Sequence, residues 1–476
     1  MKSAFDIAII GGGAAGLFAA QTAVSQGART CLVEKYKLGG DCTWSGCIPS
    51  KALLRSAGVA NEIRQHADFG LRLGNGPDFE YQGVMHHVRK LRERIGSGDA
   101  PENYTRKGVE VIFGAATFTG PSAVAVDGRT ITARRFVICT GTHPAAPPIE
   151  GLEAITYHTN ETIFETDDLP SSLLVLGGGP VGLELAQSLH RLGVDVTVVE
   201  MMDRLLMVED EEISEFVTGR LQEEGLSILT GHKAVKFTAD DNGVNALLEN
   251  RQGDIVEHSA ASLLVAIGRA PNIEGLALDK GGIEYDKKGI KTNAYLQTTN
   301  SRAFACGDVV GPYMFTHVAA YQAYICIRNA LFYRIFRQKA DYGDVAWADY
   351  IDPEIGHLGL TEKQAREKYS DIKVYKNDYS VTDRAVTDVV GPGLLKVITD
   401  KKGYILGAHA AGADAAEIIH PLIIAKALHI KFSKLAEPMF IYPTLSELVK
   451  KTAALALEEY LNKPVVKFFL NLTRSI

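Results

Sequence analysis

The feature that most restricts how this chain can fold is a glycine device that occurs twice. The first copy is "FDIAIIGGGAAGLFAAQTAVSQGARTCLVEK", residues 5–35. The second is "SLLVLGGGPVGLELAQSLHRLGVDVTVVEM", residues 172–201. Each runs from an apolar strand pattern through a glycine turn into a helical pattern, then into a second apolar run that ends in an acid. Gly11 and Gly177 permit the tight turn. Gly13 and Gly179 let the backbone approach a pyrophosphate. Gly16 and Gly182 allow helix to pack on strand. The helix N-terminus that follows offers free N–H groups to phosphates. The closing acids, Glu34 and Glu200, are placed to accept hydrogen bonds from ribose hydroxyls. Each acid stands 23 residues after its first glycine (11 to 34, 177 to 200). One such motif is weak evidence, but two at equal spacing are strong. They predict an α/β chain with two Rossmann-like dinucleotide-binding domains and an electron path between two cofactors.

The rest of the composition narrows the class. A chain of 476 residues has room for two to four domains. Its six cysteines are too sparse for a secreted disulfide framework. Two of them, Cys42 and Cys47, lie five positions apart in "GGDCTWSGCIPSK", and they read as functional. Cys31, Cys139, Cys306 and Cys326 fall in apolar patterns and read as core thiols. No set of cysteines and histidines has metal-ligand spacing, so no metal site is expected. His86 and His87 are adjacent, point about 100° apart on a helix and read as solvated. The net charge of −7 without a basic block argues against nucleic acid. No apolar run reaches the ~18 residues of a membrane span. The start shows no secretory signal. The tail 465–476 is apolar but short and is expected to dock or fray. A soluble cytoplasmic protein is the expectation.

With these motifs in place, the chain resembles the class I pyridine nucleotide–disulfide oxidoreductases, which include glutathione reductase, dihydrolipoamide dehydrogenase and mercuric reductase. "GGDCTWSGCIPSK" resembles the family's redox-disulfide helix. "CTGTHP", with Gly141, resembles the crossing after the first FAD segment, and "VAIGRAPN", with Gly268, the close of the NAD domain. "AFACGDV" resembles the second FAD segment, and "YPTLSE" the C-terminal active-site motif. The resemblance implies an FAD-binding domain over 1–150, an NAD(P)-binding domain over 151–275, a segment completing the FAD site over 276–345, and a C-terminal α+β dimerisation domain over 346–476. It implies FAD and a nicotinamide cofactor, with Asp308 on the ribitol, Lys51 at flavin N5 and Glu184 beside the nicotinamide. Cys47 would be the thiol against the flavin, and Cys42 the exposed one that meets substrate. A helix starting near Cys47, with Pro49 in its first turn, would favour a thiolate there. The resemblance also implies a homodimer in which Tyr442 and Glu447 reach the partner's Cys42. Two strands around an Asp400–Gly403 turn and a closing helix over "SELVKKTAALALEEYLN" support such a last domain independently.

The chain departs from the family at informative points. Disulfide reductases carry histidine five residues before a glutamate in the last motif; here Tyr442 precedes Glu447. A phenol with a reference pKa near 10 is a poor proton shuttle at neutral pH. A metal ion needs thiolates and electrons, not a protonated leaving group, and mercuric reductases share this tyrosine. They end, however, in a vicinal cysteine pair, and the last cysteine here is Cys326. They also carry an extra N-terminal metal-binding domain that is not found here. Asp41 replaces a threonine before the first cysteine. It reads equally as a charge acting on Cys42 or as a turn cap. Trp44 lies between the thiols. The expected activity is NAD(P)H oxidation with electrons passed through a Cys42–Cys47 disulfide to a metal ion or soft electrophile. A dihydrolipoamide or small-disulfide reductase, and a flavoprotein redox sensor, are the alternatives. NADH is expected over NADPH, because Glu200 would repel a 2′-phosphate and no arginine follows until Arg204.

Overall fold

Strands buried on both faces read as unbroken apolar runs, and the core of this protein is built from such runs. The computed structural model describes residues 4–72 and 80–468. Residues 469–476 of the tail expected to dock or fray lie outside that set. In the first sheet, Val109–Phe113, Thr30–Glu34, Phe5–Ile10 and Arg129–Ile138 pair in parallel, in that order. The far end of Arg129–Ile138 also pairs in parallel with Ala303–Ala305. Its near end continues into an antiparallel hairpin, Ala123–Val126 with Ala116–Gly120. Residues more than 160 positions downstream of this sheet therefore return to complete it. The helix Thr316–Leu331 then packs on the helix Ala14–Ser25. Small buried residues, among them Ala15, Ala19 and Ala23, let that first helix lie close to both neighbours.

The second device opens a four-stranded parallel sheet ordered Ser227–Thr230, Asp195–Glu200, Ser172–Leu176, Ser262–Val265. A three-stranded antiparallel sheet, Lys233–Asp240, Gly243–Glu249 and Ile255–Ala260, lies beside it. The C-terminal sheet is antiparallel, ordered Ala346–Asp349, Ile355–Gly359, Ile405–Ala411, Leu394–Asp400, Ile372–Asp378. The Asp400–Gly403 turn closes with Gly403 N donating to Asp400 O at 3.0 Å. The helix Glu447–Leu461 covers this sheet through Leu448, Val449 and Ala453. Among the described residues no helix is long and apolar enough to cross a membrane.

The glycines of the two devices do different work. Gly11 and Gly177 have φ of +101° and +114°, the left-handed region that disfavours side chains. A Cβ on Gly16 would collide with Gly11 O, and one on Gly182 with Gly177 O. A Cβ on Gly179 would meet nothing within 4 Å. Gly182→Ala should therefore destabilise the fold by about 1–3 kcal/mol, the usual cost of overpacking. Gly179→Ala should leave stability unchanged. Denaturant midpoints of the two variants read the contrast, and equal losses would contradict this division of labour.

Candidate active site

The redox loop lies directly on the first glycine turn. Gly39 and Gly40 have φ of +108° and +62°, and a Cβ on Gly40 would sit 2.6 Å from Gly13 Cα. This approach sets the short helix Gly40–Trp44, which carries Cys42, against the glycine turn of the first device. Trp44 anchors the loop. Its indole donates to Leu38 O at 2.6 Å, Lys37 Nζ lies 3.0 Å from the ring centroid, and Gly96 leaves the ring its space. Asp41 is tied by Ser45 Oγ at 2.7 Å, by Asn160 Nδ2 at 3.1 Å and by the Arg269 guanidinium at 3.1 Å. It caps no helix; its carboxylate braces the loop and adds a negative charge near Cys42.

The long helix Cys47–Arg64 begins at Cys47 itself. Both thiols are free. Thr316, the first residue of its helix, donates from Oγ1 to Cys42 Sγ at 3.1 Å and lies 3.9 Å from Cys47 Sγ. Cys47 is lowered to about 6, first by the hydrogen bond from Cys42 and then by the charge of Lys51. Cys42 is driven up by the same hydrogen bond, by burial and by the Cys47 charge. In the polypeptide by itself Cys47 is exposed and Cys42 is half-buried.

Lys51 and Glu184, expected near the same chemistry from distant motifs, meet as an ion pair. Lys51 Nζ donates to both Glu184 oxygens at 2.8 Å. Ser50 Oγ donates to Glu184 Oε2 at 3.0 Å, and Tyr350 N to Oε1 at 3.1 Å. Next to Tyr350 is Asp349, a buried carboxyl pushed well up by burial and by Glu209 and Glu184. The pair thus lies near a buried carboxyl of the C-terminal sheet.

The two closing acids are twins in structure. Glu34 accepts from Gly12 N at 2.6 Å and Tyr36 N at 2.8 Å. Glu200 accepts from Gly178 N and Met202 N, both at 2.8 Å. Each carboxylate oxygen takes one backbone N–H and keeps lone pairs for a second donor. Gly13 and Gly179 cap their helices in extended conformation; Gly40 packs on Gly13, whereas a Cβ on Gly179 would meet nothing within 4 Å. This chemistry fits a dinucleotide at each device. Asp308 is half-buried, accepts from Thr142 Oγ1 at 3.3 Å and is raised by burial. Gly141 and Gly268, from the two crossings, lie on opposite sides of one small antiparallel pairing, Thr142–Pro144 with Arg269–Pro271. Asn272 locks that pairing: its Nδ2 donates to Thr140 O and its N to Gly141 O.

Tyr442 is 66% exposed, and its phenol donates to Asp383 Oδ2 at 2.7 Å. That bond, with the charges of Asp383 and Glu447, raises it further from neutral pH. Glu447 opens the last helix. Within one chain the partner of Tyr442 is Asp383, not the redox loop. Cys31, Cys139, Cys306 and Cys326 are buried, and His86 and His87 are exposed. Sequence reasoning missed Thr316, Asp349 and Tyr350. Of these only Thr316, at the start of a helical pattern after "GPYMF", carried any signal.

The family model for pyridine nucleotide-disulphide oxidoreductases matches residues 5–323, and the model of that family's dimerisation domain matches residues 345–453. A dihydrolipoyl dehydrogenase of Rhizobium etli is 32% identical, covering 97% of this chain and 100% of its own. A mercuric reductase of Staphylococcus aureus is 34% identical over 96% of this chain and 83% of its own. The solved HOCl-induced flavoprotein disulfide reductase RclA from Escherichia coli superposes with a TM-score of 0.84 at 26% identity, over 94% of this chain and 99% of that one; its Cu(II) complex matches equally. This chain belongs to the pyridine nucleotide-disulphide oxidoreductase family, whose enzymes are FAD-dependent and use NAD(P)H.

Alkylation tests the electrostatics at Cys47. The rate of iodoacetamide labelling at Cys47, read by peptide mass spectrometry, should rise through pH ~6. Lys51→Met removes a charge that favours the thiolate and should move the profile to higher pH. Glu184→Gln removes one that opposes it and should move the profile lower. Profiles that coincide would show that the pair does not act on the thiol.

Proposed function

We propose that this chain is an NADH-dependent flavoprotein whose Cys42 and Cys47 deliver an electron pair to a metal ion or a related soft electrophile. The observation that carries this reading is Tyr442. At the place where a disulfide reductase keeps a proton-shuttling base, this chain holds a phenol that Asp383 and Glu447 keep protonated. A leaving thiolate would find no efficient acid there, and general acid–base help is typically worth about 10²–10⁴-fold. A thiophilic metal ion makes no such demand. The likeness to a mercuric reductase and to a flavoprotein solved as a Cu(II) complex supports the same class of acceptor.

Bound FAD supplies the relay of an electron pair from reduced nicotinamide to sulfur. The residues of the two glycine devices, with Asp308, would hold the two dinucleotides: FAD over 1–150 and 276–345, the nicotinamide cofactor over 151–275. Cys47, a thiolate near neutral pH, and Cys42 would bind the acceptor between them. Closure of the Cys42–Cys47 disulfide releases two electrons, which reduce one two-electron ion or two one-electron ions. An electron pair from NADH reopens the disulfide. Lys51 steadies negative charge at this end of the helix, and Thr316 donates to whichever sulfur is ionised. Residues 346–476 would form the homodimer interface, where Met439, Ile441 and Tyr442 are exposed. There Tyr442 and Glu447 would face Cys42 of the partner subunit. The names of the relatives favour one second reading, reduction or oxidation of a lipoamide-like dithiol.

NADH preference rests on two features. Glu200 offers a carboxylate where a 2′-phosphate would lie. The Arg204 guanidinium is already committed to Leu206 O, Met207 O and Glu209 O. Steady-state kcat/KM should favour NADH, and Glu200→Ala should narrow the ratio; a wild-type preference for NADPH would refute it. The acceptor is tested by Tyr442→His. Disulfide reduction should rise by about 10-fold or more as a base of suitable pKa appears, while metal-ion reduction stays level or falls. If both activities move together, Tyr442 only packs, and the lipoamide-like reading moves ahead.

A further inference from the structure

Away from the redox loop, three residues far apart in sequence converge in the interior: Glu209, His357 and His409. All three are buried, and each offers a ligand atom within 4.8 Å of the other two. Glu209 comes from the segment that follows Asp195–Glu200 of the second dinucleotide module. His357 and His409 are register partners on adjacent strands of the C-terminal sheet.

The outer bonds of the three are arranged as they are around a metal. His357 Nε2 donates to Gly359 O at 2.9 Å, and His409 Nε2 donates to Leu360 O at 3.0 Å. A carbonyl can only accept, so both rings carry a proton on Nε2, and Nδ1 is the atom each turns to the cluster. Metal-ligating histidines are characteristically oriented in this way, with the second ring N–H on a carbonyl or carboxylate. Glu209 is held likewise, by the Trp347 indole N–H at 2.6 Å on Oε1. Trp347 also stacks on His357, with centroids 3.5 Å apart. A hydrogen bond explains part of the cluster, because His357 Nδ1 lies 2.8 Å from Glu209 Oε2. It does not explain His409. That residue is fully buried, and among the described residues its Nδ1 has no hydrogen-bond partner. A buried lone pair without a donor is costly, and Asp349 Oδ2, a second unpartnered buried atom, belongs to a carboxyl that feels Glu209.

We propose that Glu209, His357 and His409 form a resident site for a divalent transition-metal cation of the zinc class, stapling the second dinucleotide module to the C-terminal sheet. Two imidazoles and a carboxylate suit zinc, with a fourth position left for water or Asp349. On binding, the cation replaces the proton between His357 Nδ1 and Glu209, which leaves to solvent. Ligands about 2.1 Å from a tetrahedral ion stand about 3.4 Å apart, so side-chain shifts of about 1 Å suffice. The site is separate from the thiols and is sealed from solvent, so it does not depend on which acceptor the enzyme uses.

The test uses full-length flavoprotein with Cys42→Ser and Cys47→Ser, so that the redox thiols cannot take up metal. After chelation and re-exposure to micromolar free zinc, elemental analysis should find a single zinc ion per chain. Diffraction data on either side of the zinc absorption edge should place that ion among Glu209, His357 and His409. Glu209→Gln and His409→Asn should each abolish the uptake. Folded protein without zinc would overturn the proposal, as would zinc located elsewhere or zinc retained by both variants. The diffraction reading needs no change at the site, so it decides the matter even if a variant fails to fold.

Discussion

The Lys51–Glu184 ion pair is the interaction on which the rest of the site depends. It ties the redox helix Cys47–Arg64 to the helix Pro180–Arg191 of the second device, and so fixes how the two nucleotide modules face each other. Lys51 lies four residues after Cys47, one helical turn on, so the charge that binds Glu184 also lies on the thiol's side of the helix. Glu184 is buried with its oxygens taken up by Lys51, Ser50 and the Tyr350 amide. Removing one partner of such a pair leaves an uncompensated buried charge, typically at a cost of about 3–5 kcal/mol. The geometry is therefore held by a penalty for losing it more than by a gain from having it.

The duplicated device shows how one local solution serves two settings. The turn, the helix cap and the closing acid are almost superposable in their bonding. Only the first copy has a loop against it, where Gly40 meets Gly13; the space above Gly179 is open. That difference separates a device joined to the thiols from one whose helix N-terminus stays open.

Further charges are buried where the second module meets the C-terminal sheet. Lys396 is paired with Asp210, Glu212 and Glu362. Arg191 bonds Glu224 and Asp352. Charges taken out of water must be paired, and the pairs of Lys396 with Asp210 and Glu212 and of Arg191 with Asp352 join segments more than 100 residues apart. They set the orientation that brings Tyr350 and Asp349 beside Glu184, and His357 and His409 beside Glu209.

What the chain declares in its own order is whatever depends on neighbours in sequence. The strand–turn–helix devices, the helix beginning at Cys47, the Asp400–Gly403 turn and the closing helix follow from apolar period, glycine placement and turn chemistry, all local properties. So do the buried state of Cys31, Cys139, Cys306 and Cys326 and the exposure of His86 and His87. The tertiary structure alone decided the rest. It placed Thr316 beside both thiols, gave Asp41 to Ser45, Asn160 and Arg269, and gave Tyr442 to Asp383. It also gathered Glu209, His357 and His409, whose spacing in sequence matches no ligand pattern. Each of these is set by contacts between segments distant in sequence. Period and spacing record which residues a segment presents; they hold no record of what another segment brings to meet them.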